Sequence, residues 1–89
     1  MSGIKSIREL REVLAEATDI VAHGSTWRHY KGGVYTVLHL AFDEVTLNIE
    51  VIYNPVNAPD ILFARDLSIW LETVVWQDAT LPRFEHIAG

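Results

Sequence analysis

The spacing of apolar residues changes at Gly24, and this change limits the fold more than any other feature of the sequence. Before it, apolar residues recur every three or four positions with charged residues between them, which predicts an amphipathic helix over residues 7–21. After it, short runs rich in Val, Ile, Tyr and Trp alternate with Gly, Pro, Asn and Asp, as in strands and turns. The sequence therefore predicts one helix followed by an all-β segment.

The predicted helix has recognisable ends but no partner helix. Ser6 and Glu9 have the spacing of a capping box, and Gly24 can take the left-handed conformation that ends a helix. The apolar stripe must then lie on the sheet or on another subunit. Residues 34–42 are apolar on both sides of their alternation, which favours the sheet, with the helix over this strand.

The β segment divides into short strands. They are predicted at residues 26–30, 34–42, 47–53, 61–64 and 72–76, and residues 81–87 close the chain. Two prolines make residues 54–60 a loop, and Asp66 is expected to cap one helical turn that ends near Trp70. Strands this short, with no crossover helices, indicate a mainly β fold, a small roll or barrel of about five strands behind one N-terminal helix.

Length and composition limit the function. A chain of 89 residues with 49% hydrophobic and 21% charged residues forms one small globular domain, and without cysteine it has no disulfide. No apolar run is long enough for a membrane helix or an export signal, so the expected location is the cytoplasm. The net charge of −5 opposes binding to nucleic acid or anionic membranes.

A set of motifs after Gly24 resembles a bacterial family, domain of unknown function 1653. The opening motif is His29-Tyr30-Lys31-Gly32-Gly33 with Tyr35 and Val37. The later pieces are Thr46, Val51-Ile52-Tyr53, Arg65, Glu72 and Pro82-Arg83-Phe84. The resemblance implies an SH3-like β domain over residues 26–89, with residues 1–25 as a helical extension outside the family's core.

Three positions depart from that family. Asp43 and Val45 stand where the family usually has a His and a Glu, and Asp66 stands where a proline usually follows the arginine. A family site that needed the His and Glu is therefore not expected here. The family carries no established catalytic role, so the resemblance implies a fold and no activity.

The motifs contain a group of candidate ligand-binding residues. They are Arg28, His29, Tyr30, Lys31, Arg65 and Arg83. If the turns bring these basic residues together, they can hold a carboxylate or a phosphate through charge-assisted hydrogen bonds. The alternative is that each arginine pairs with Glu50, Glu72 or Glu85 while the aromatic residues fill the core. Trp27, Tyr30, Trp70 and Trp76 could also line a groove for a peptide, unless the tryptophans are core residues.

Other chemistries find little support. The histidines lack the spacing of paired metal ligands, and Lys31-Gly32-Gly33 lacks the spacing of a phosphate loop, so a simple turn is expected there. We therefore expect no metal, no cofactor and no catalytic residue. The expected function is that of an interaction module that recognises a small anionic ligand or a partner segment. Two alternatives stay open: a hydrolase or transferase whose base is His29, His86 or a carboxylate, and a structural homo-oligomer joined through the helix.

Overall fold

The computed structural model describes residues 6–89; residues 1–5 of the predicted helical extension lie outside the described residues. Helix α1 spans Ile7–Ile20 and begins as predicted. The Ser6 hydroxyl accepts a hydrogen bond from the Glu9 amide, and the Glu9 carboxylate accepts one from the Ser6 amide, each at 3.2 Å. Gly24 has a φ of +80°, but it lies in the turn after the helix, where its amide donates to the Val37 carbonyl at 2.7 Å.

Residues 6–89 contain seven strands and one short second helix. The strands are β1 (Thr26–His29), β2 (Val34–Phe42), β3 (Ile49–Pro55), β4 (Phe63–Asp66), β5 (Thr73–Trp76), β6 (Ala79–Pro82) and β7 (Phe84–Ala88). Helix α2 spans Leu67–Trp70 and is capped by the predicted Asp66 side chain, which accepts from the Ser68 amide at 2.8 Å. The strands pair antiparallel as a sheet of order β4-β3-β2-β1-β7 and a separate β5-β6 hairpin.

The mainly β prediction is confirmed, but several strand bounds differ from those predicted. Strand β3 starts at Ile49, two residues after the predicted start, and extends to Pro55, which pairs with Tyr35 at the end of the ladder, where its missing N–H costs nothing. Strand β4 starts at Phe63, two residues after the predicted start. The closing segment, residues 81–87, is two strands, because β6 ends at Pro82 and pairs with β5 while β7 pairs with β1.

The sheet is open, and it bends around the side chain of Trp70. Within residues 6–89 no ladder joins the two edge strands, β4 and β7, so the sheet does not close into a barrel. Trp70 is fully buried and stacks on Phe84 of β7, with ring centroids 3.7 Å apart and the ring planes 4° from parallel. Its ring also meets Tyr53 of β3 and Trp27 of β1 edge-on. This aromatic cluster holds the two edges close together.

Helix α1 packs on the sheet of its own chain, as the apolar pattern of β2 favours. Ala17 and Val21 are buried in the same core as the sheet residues, and Val13 and Leu14 pack against it. Ile7 and Ile20 at the two ends of the helix remain exposed. No helix in residues 6–89 is long and apolar enough to span a membrane.

Candidate functional site

Four of the predicted site residues lie at one end of the bent sheet. We call them the basic cluster: His29, Lys31, Arg65 and Arg83. His29 ends β1, and its Nδ1 accepts a hydrogen bond from the Lys31 amide at 3.2 Å. Arg83, between β6 and β7, is brought alongside because its carbonyl accepts from the Tyr30 amide at 2.9 Å. Strands distant in sequence therefore bring these residues together.

Arg65 has contacts that differ from those of the other arginines. It reaches from edge strand β4 towards the opposite edge, where its guanidinium lies over the Phe84 ring at 5.2 Å from the ring centroid. Its Nε donates to the hydroxyl of Tyr53 at 3.3 Å. Among residues 6–89 the half-buried Arg65 forms no ion pair, and its terminal amino groups donate to no protein group. The guanidinium is therefore held in place, and its terminal amino groups can still donate hydrogen bonds to a ligand.

Two arginines form ion pairs with glutamates, as the alternative interpretation of the sequence predicted. The Arg83 guanidinium lies 3.2 Å from the Glu72 carboxylate, with the Arg83 side chain 23% exposed. Arg28 lies 3.7 Å from Glu85, and more than half of each side chain is exposed. Arg28 follows the buried Trp27 in β1 and so points to the other face of the sheet, away from the basic cluster.

The electrostatic surroundings of His29 favour its neutral form. Burial lowers the pKa of His29 most, and the positive charges of Arg65, Arg83 and Lys31 lower it further. Because Nδ1 accepts from the Lys31 amide, the neutral ring carries its proton on Nε2. His29 then offers a hydrogen-bond donor beside three cations, which suits an anion better than the role of a base.

The other histidines lie elsewhere. His86 Nε2 is 3.0 Å from the Gly89 carbonyl, and its ring packs beside Trp27. The rings of His23 and His39 meet edge-on, with centroids 5.7 Å apart. Within residues 6–89 no three His, Asp or Glu side chains are grouped to hold a metal ion.

The Lys31-Gly32-Gly33 segment is the predicted turn. Gly32 has a φ of +106°, which a residue with a side chain adopts only with strain. At Gly33, a Cβ would lie 2.8 Å from the Tyr35 hydroxyl, so the tyrosine ring can fold back over the turn only beside glycine. These two glycines serve the turn and the packing of Tyr35.

Aromatic rings form the floor and one rim of the site. Trp27 and Trp70 are core residues, whereas Trp76 is 40% exposed. Trp76 meets Tyr30 edge-on at 5.4 Å, and the Lys31 ammonium lies 5.7 Å and 5.6 Å from the centroids of these two rings. Tyr53 was not predicted as a site residue, because only its pairing with Phe63 places it beside Arg65 on β4. No local sequence signal could have shown that register.

Two clefts lie at this end of the sheet, and of the four basic-cluster residues only His29 lines either of them. One, of about 610 Å³, lies between the β1–β2 turn and the loop after β3, with Tyr35 and Phe63 on its walls. The other, of about 200 Å³, lies between β1 and the end of β6, and the Arg28–Glu85 pair also lines it. The first has the size of a small-molecule site, whereas the second is smaller than most.

Comparisons with known proteins place the chain in a family. Residues 25–86 match the model of the family described as protein of unknown function (DUF1653), and helix α1 precedes the matched residues. A crystal structure of a DUF1653 protein from Bordetella bronchiseptica is similar, with 34% sequence identity, a TM-score of 0.66, and coverage of 74% of this chain and 87% of that chain. The curated proteins gave no match. The chain belongs to the DUF1653 family of proteins of unknown function.

Proposed function

We propose that this protein is a binding module whose basic cluster recognises the carboxylate or phosphate group of a small ligand or a partner segment. The observation that carries the proposal is the state of Arg65. Two other arginines are paired with glutamates, whereas Arg65 is held by Tyr53 and Phe84 and keeps its terminal amino groups free.

The surroundings of Arg65 make it a good anion receptor. A guanidinium that is already fixed loses little conformational freedom when it binds, and its planar fork fits a carboxylate or phosphate in a bidentate manner. Packing against an aromatic ring removes water from one side, which strengthens the pairing with a ligand. The Nε2 proton of neutral His29 and the ammonium of Lys31 supply further donors.

The net charge of the chain favours a small or local anion over a polyanion. With seven basic and twelve acidic side chains, the molecule as a whole repels a nucleic-acid backbone. The basic cluster is a local exception, and a single anionic group can enter it without meeting the rest of the charge. A cytoplasmic location agrees with this proposal, because metabolites and protein segments that carry such groups are abundant there.

The geometry supports binding over catalysis by His29, since the Nδ1 lone pair of that histidine is already engaged by the Lys31 amide.

For the oligomer alternative, helix α1 offers a partner subunit less exposed apolar surface than the sequence implied. Ala17 and Val21 of the stripe are buried on the chain's own sheet, which leaves Ile7 and Ile20 for a partner.

Isothermal titration calorimetry with inorganic phosphate and acetate, supported by thermal-shift measurements, tests the proposal. The unmodified chain should bind at least one of these anions, and Arg65→Ala should weaken that binding about tenfold or more, the value of one charge-assisted hydrogen bond of about 1.5–3 kcal/mol. Arg65→Lys should recover part of the affinity, because it keeps the charge and loses the fork.

Arg11→Ala is the matched control, since Arg11 is an exposed arginine on α1 that lines neither cleft. It should bind the anions as the unmodified chain does. If the unmodified chain binds neither anion, or if Arg11→Ala and Arg65→Ala weaken binding equally, the basic cluster is not an anion site.

A further inference from the structure

Two aromatic rings lie at the exposed edge of the basic cluster, and the proposed binding of an anion does not require them. We call Tyr30 and Trp76 the aromatic rim. Tyr30 follows β1, and Trp76 ends β5, next to the turn of the β5-β6 hairpin. Their ring centroids are 5.4 Å apart with the planes at 69°. Trp76 is 40% exposed, so part of its ring faces solvent at the rim.

The aromatic rim is in contact with the basic cluster. The ring of Tyr30 lies 4.4 Å from the ring of His29, and the His29 ring lies 5.0 Å from that of Phe84, over which the Arg65 guanidinium sits. The Lys31 ammonium lies within 6 Å of both rim rings. The positive charge of Lys31 therefore lies within the length of one small ligand from both rim rings.

This arrangement can recognise two chemical groups at once. An anion held in the basic cluster beside Lys31 can be joined to a flat ring that stacks on the exposed Trp76 side chain, and stacking is tolerant of which ring is offered. The cation beside the rim adds attraction for a π-face, since Lys31 already occupies that position over Tyr30 and Trp76.

We propose that the ligand of the basic cluster carries its phosphate or carboxylate on an aromatic ring system, and that this ring stacks at the aromatic rim against Trp76. The ligand class is then that of aryl phosphates, nucleoside monophosphates and aromatic carboxylates. The inference rests on the proposed anion site and narrows the ligand that the site accepts.

Calorimetric titration with two matched pairs of probes tests the inference: methyl phosphate against phenyl phosphate, and acetate against benzoate. The ring should raise the affinity at least about fivefold in one pair or both, which is the lower value for stacking on one aromatic side chain. The pair that responds identifies the anion. Trp76→Leu should remove this gain and leave the affinity for the ring-free anion unchanged.

Val75→Ala is the matched control, because Val75 is the neighbouring residue on β5 and is 76% exposed. It should keep the gain from the ring. Trp76→Phe should keep part of it, since it retains an aromatic face. Equal affinities within both pairs, or a gain that survives in Trp76→Leu, would overturn the inference while leaving the anion site intact.

The indole N–H signals in the NMR spectrum of the unmodified chain give a second measurement that does not depend on how a variant folds. Phenyl phosphate should shift the signal of Trp76, assigned by its loss in Trp76→Phe, and leave those of the buried Trp27 and Trp70 unchanged. Methyl phosphate should have little effect on any of the three. If no probe binds at all, the proposed function fails and the ring preference fails with it.

Discussion

The bent sheet and the β5-β6 hairpin use the same residue type in opposite ways. Trp70, at the end of α2, is fully buried and packs against three aromatic rings of the sheet. Trp76, six positions later on the hairpin, is 40% exposed and touches Tyr30 and Lys31 at the rim of the site. Bulk at the first position holds the sheet together, whereas at the second it is available to a ligand. Residue type alone does not separate these roles; the contacts do.

The largest expected effect is at Trp70. Trp70→Ala should lower the free energy of unfolding by about 3–5 kcal/mol, because it leaves a cavity under Phe84 and Tyr53. Trp76→Ala should cost less than about 1 kcal/mol, as for an exposed side chain. Urea denaturation of both variants measures the difference. Trp70→Phe, which keeps the stack on Phe84 and removes an indole N–H that has no hydrogen-bond partner among residues 6–89, should lie between them. Equal losses at Trp70 and Trp76 would contradict the division of roles.

A smaller effect is expected where the core meets the turn after α1. The hydroxyl of Ser25, which is 1% exposed, accepts a hydrogen bond from the Trp27 indole at 2.8 Å. Ser25→Ala leaves that buried N–H without a partner and should destabilise the chain by about 1–3 kcal/mol in the same urea experiment.

Thr18→Ala is the control for Ser25→Ala. Its hydroxyl only donates back to the Leu14 carbonyl in α1, and alanine has the higher helix propensity. It should leave the free energy of unfolding nearly unchanged. If Thr18→Ala lowers the free energy of unfolding as much as Ser25→Ala does, the hydrogen bond of the Trp27 indole makes no specific contribution to stability.

The local features of the fold could be predicted from the sequence because short-range chemistry determines them. The capping box at Ser6, the Asp66 cap and the Gly32-Gly33 turn each depend on residues within four positions of one another. The split of residues 81–87 into β6 and β7 could not be seen, since Pro82 pairs with Thr73 within a hairpin whereas Phe84 pairs with His29, far away along the chain.

The residues of the site could be predicted from the sequence, but their arrangement in space could not. Basic and aromatic types in the motifs indicated an anion site, but which arginine faces it depends on the pairing of strands. Alternation beside the buried Trp27 explains why Arg28 points away. The contact between Arg65 and Phe84 joins the two edges of the sheet and depends on its curvature, which no periodicity encodes.

Substitutions in the turn of the β5-β6 hairpin can stabilise the hairpin without changing any residue of the bent sheet. Gln77 and Asp78, at its turn, have φ of 51° and 66°, a conformation that favours Asn followed by Gly. The double variant Gln77→Asn, Asp78→Gly should raise the free energy of unfolding by about 1 kcal/mol by relieving this strain. Thermal unfolding checks it, with Asp78→Ala as a control that should give no gain. A double variant no more stable than the unmodified chain would mean that the hairpin does not unfold together with the sheet.

The smallest expected effect links the two regions through His29, which lies between the rings of Phe84 and Tyr30. Its pKa is lowered in the folded chain, first by burial and then by nearby cations, so between that value and the ordinary 6.5 the unfolded chain binds a proton that the folded chain does not. The stability contributed by neutral His29 is therefore complete above pH 6.5 and is lost as the pH falls through the lowered pKa.

Urea denaturation across pH 5 to 8 should show a steeper loss of stability on acidification in the unmodified chain than in His29→Gln, whose side chain stays neutral. The other histidines are present in both chains, so the difference isolates His29. Saturation with inorganic phosphate should move the NMR titration of His29 to a higher pH, since a bound anion offsets the positive charges of Arg65 and Lys31. Parallel pH profiles would remove His29 from the electrostatics of the basic cluster, and an unmoved titration would place the bound anion elsewhere.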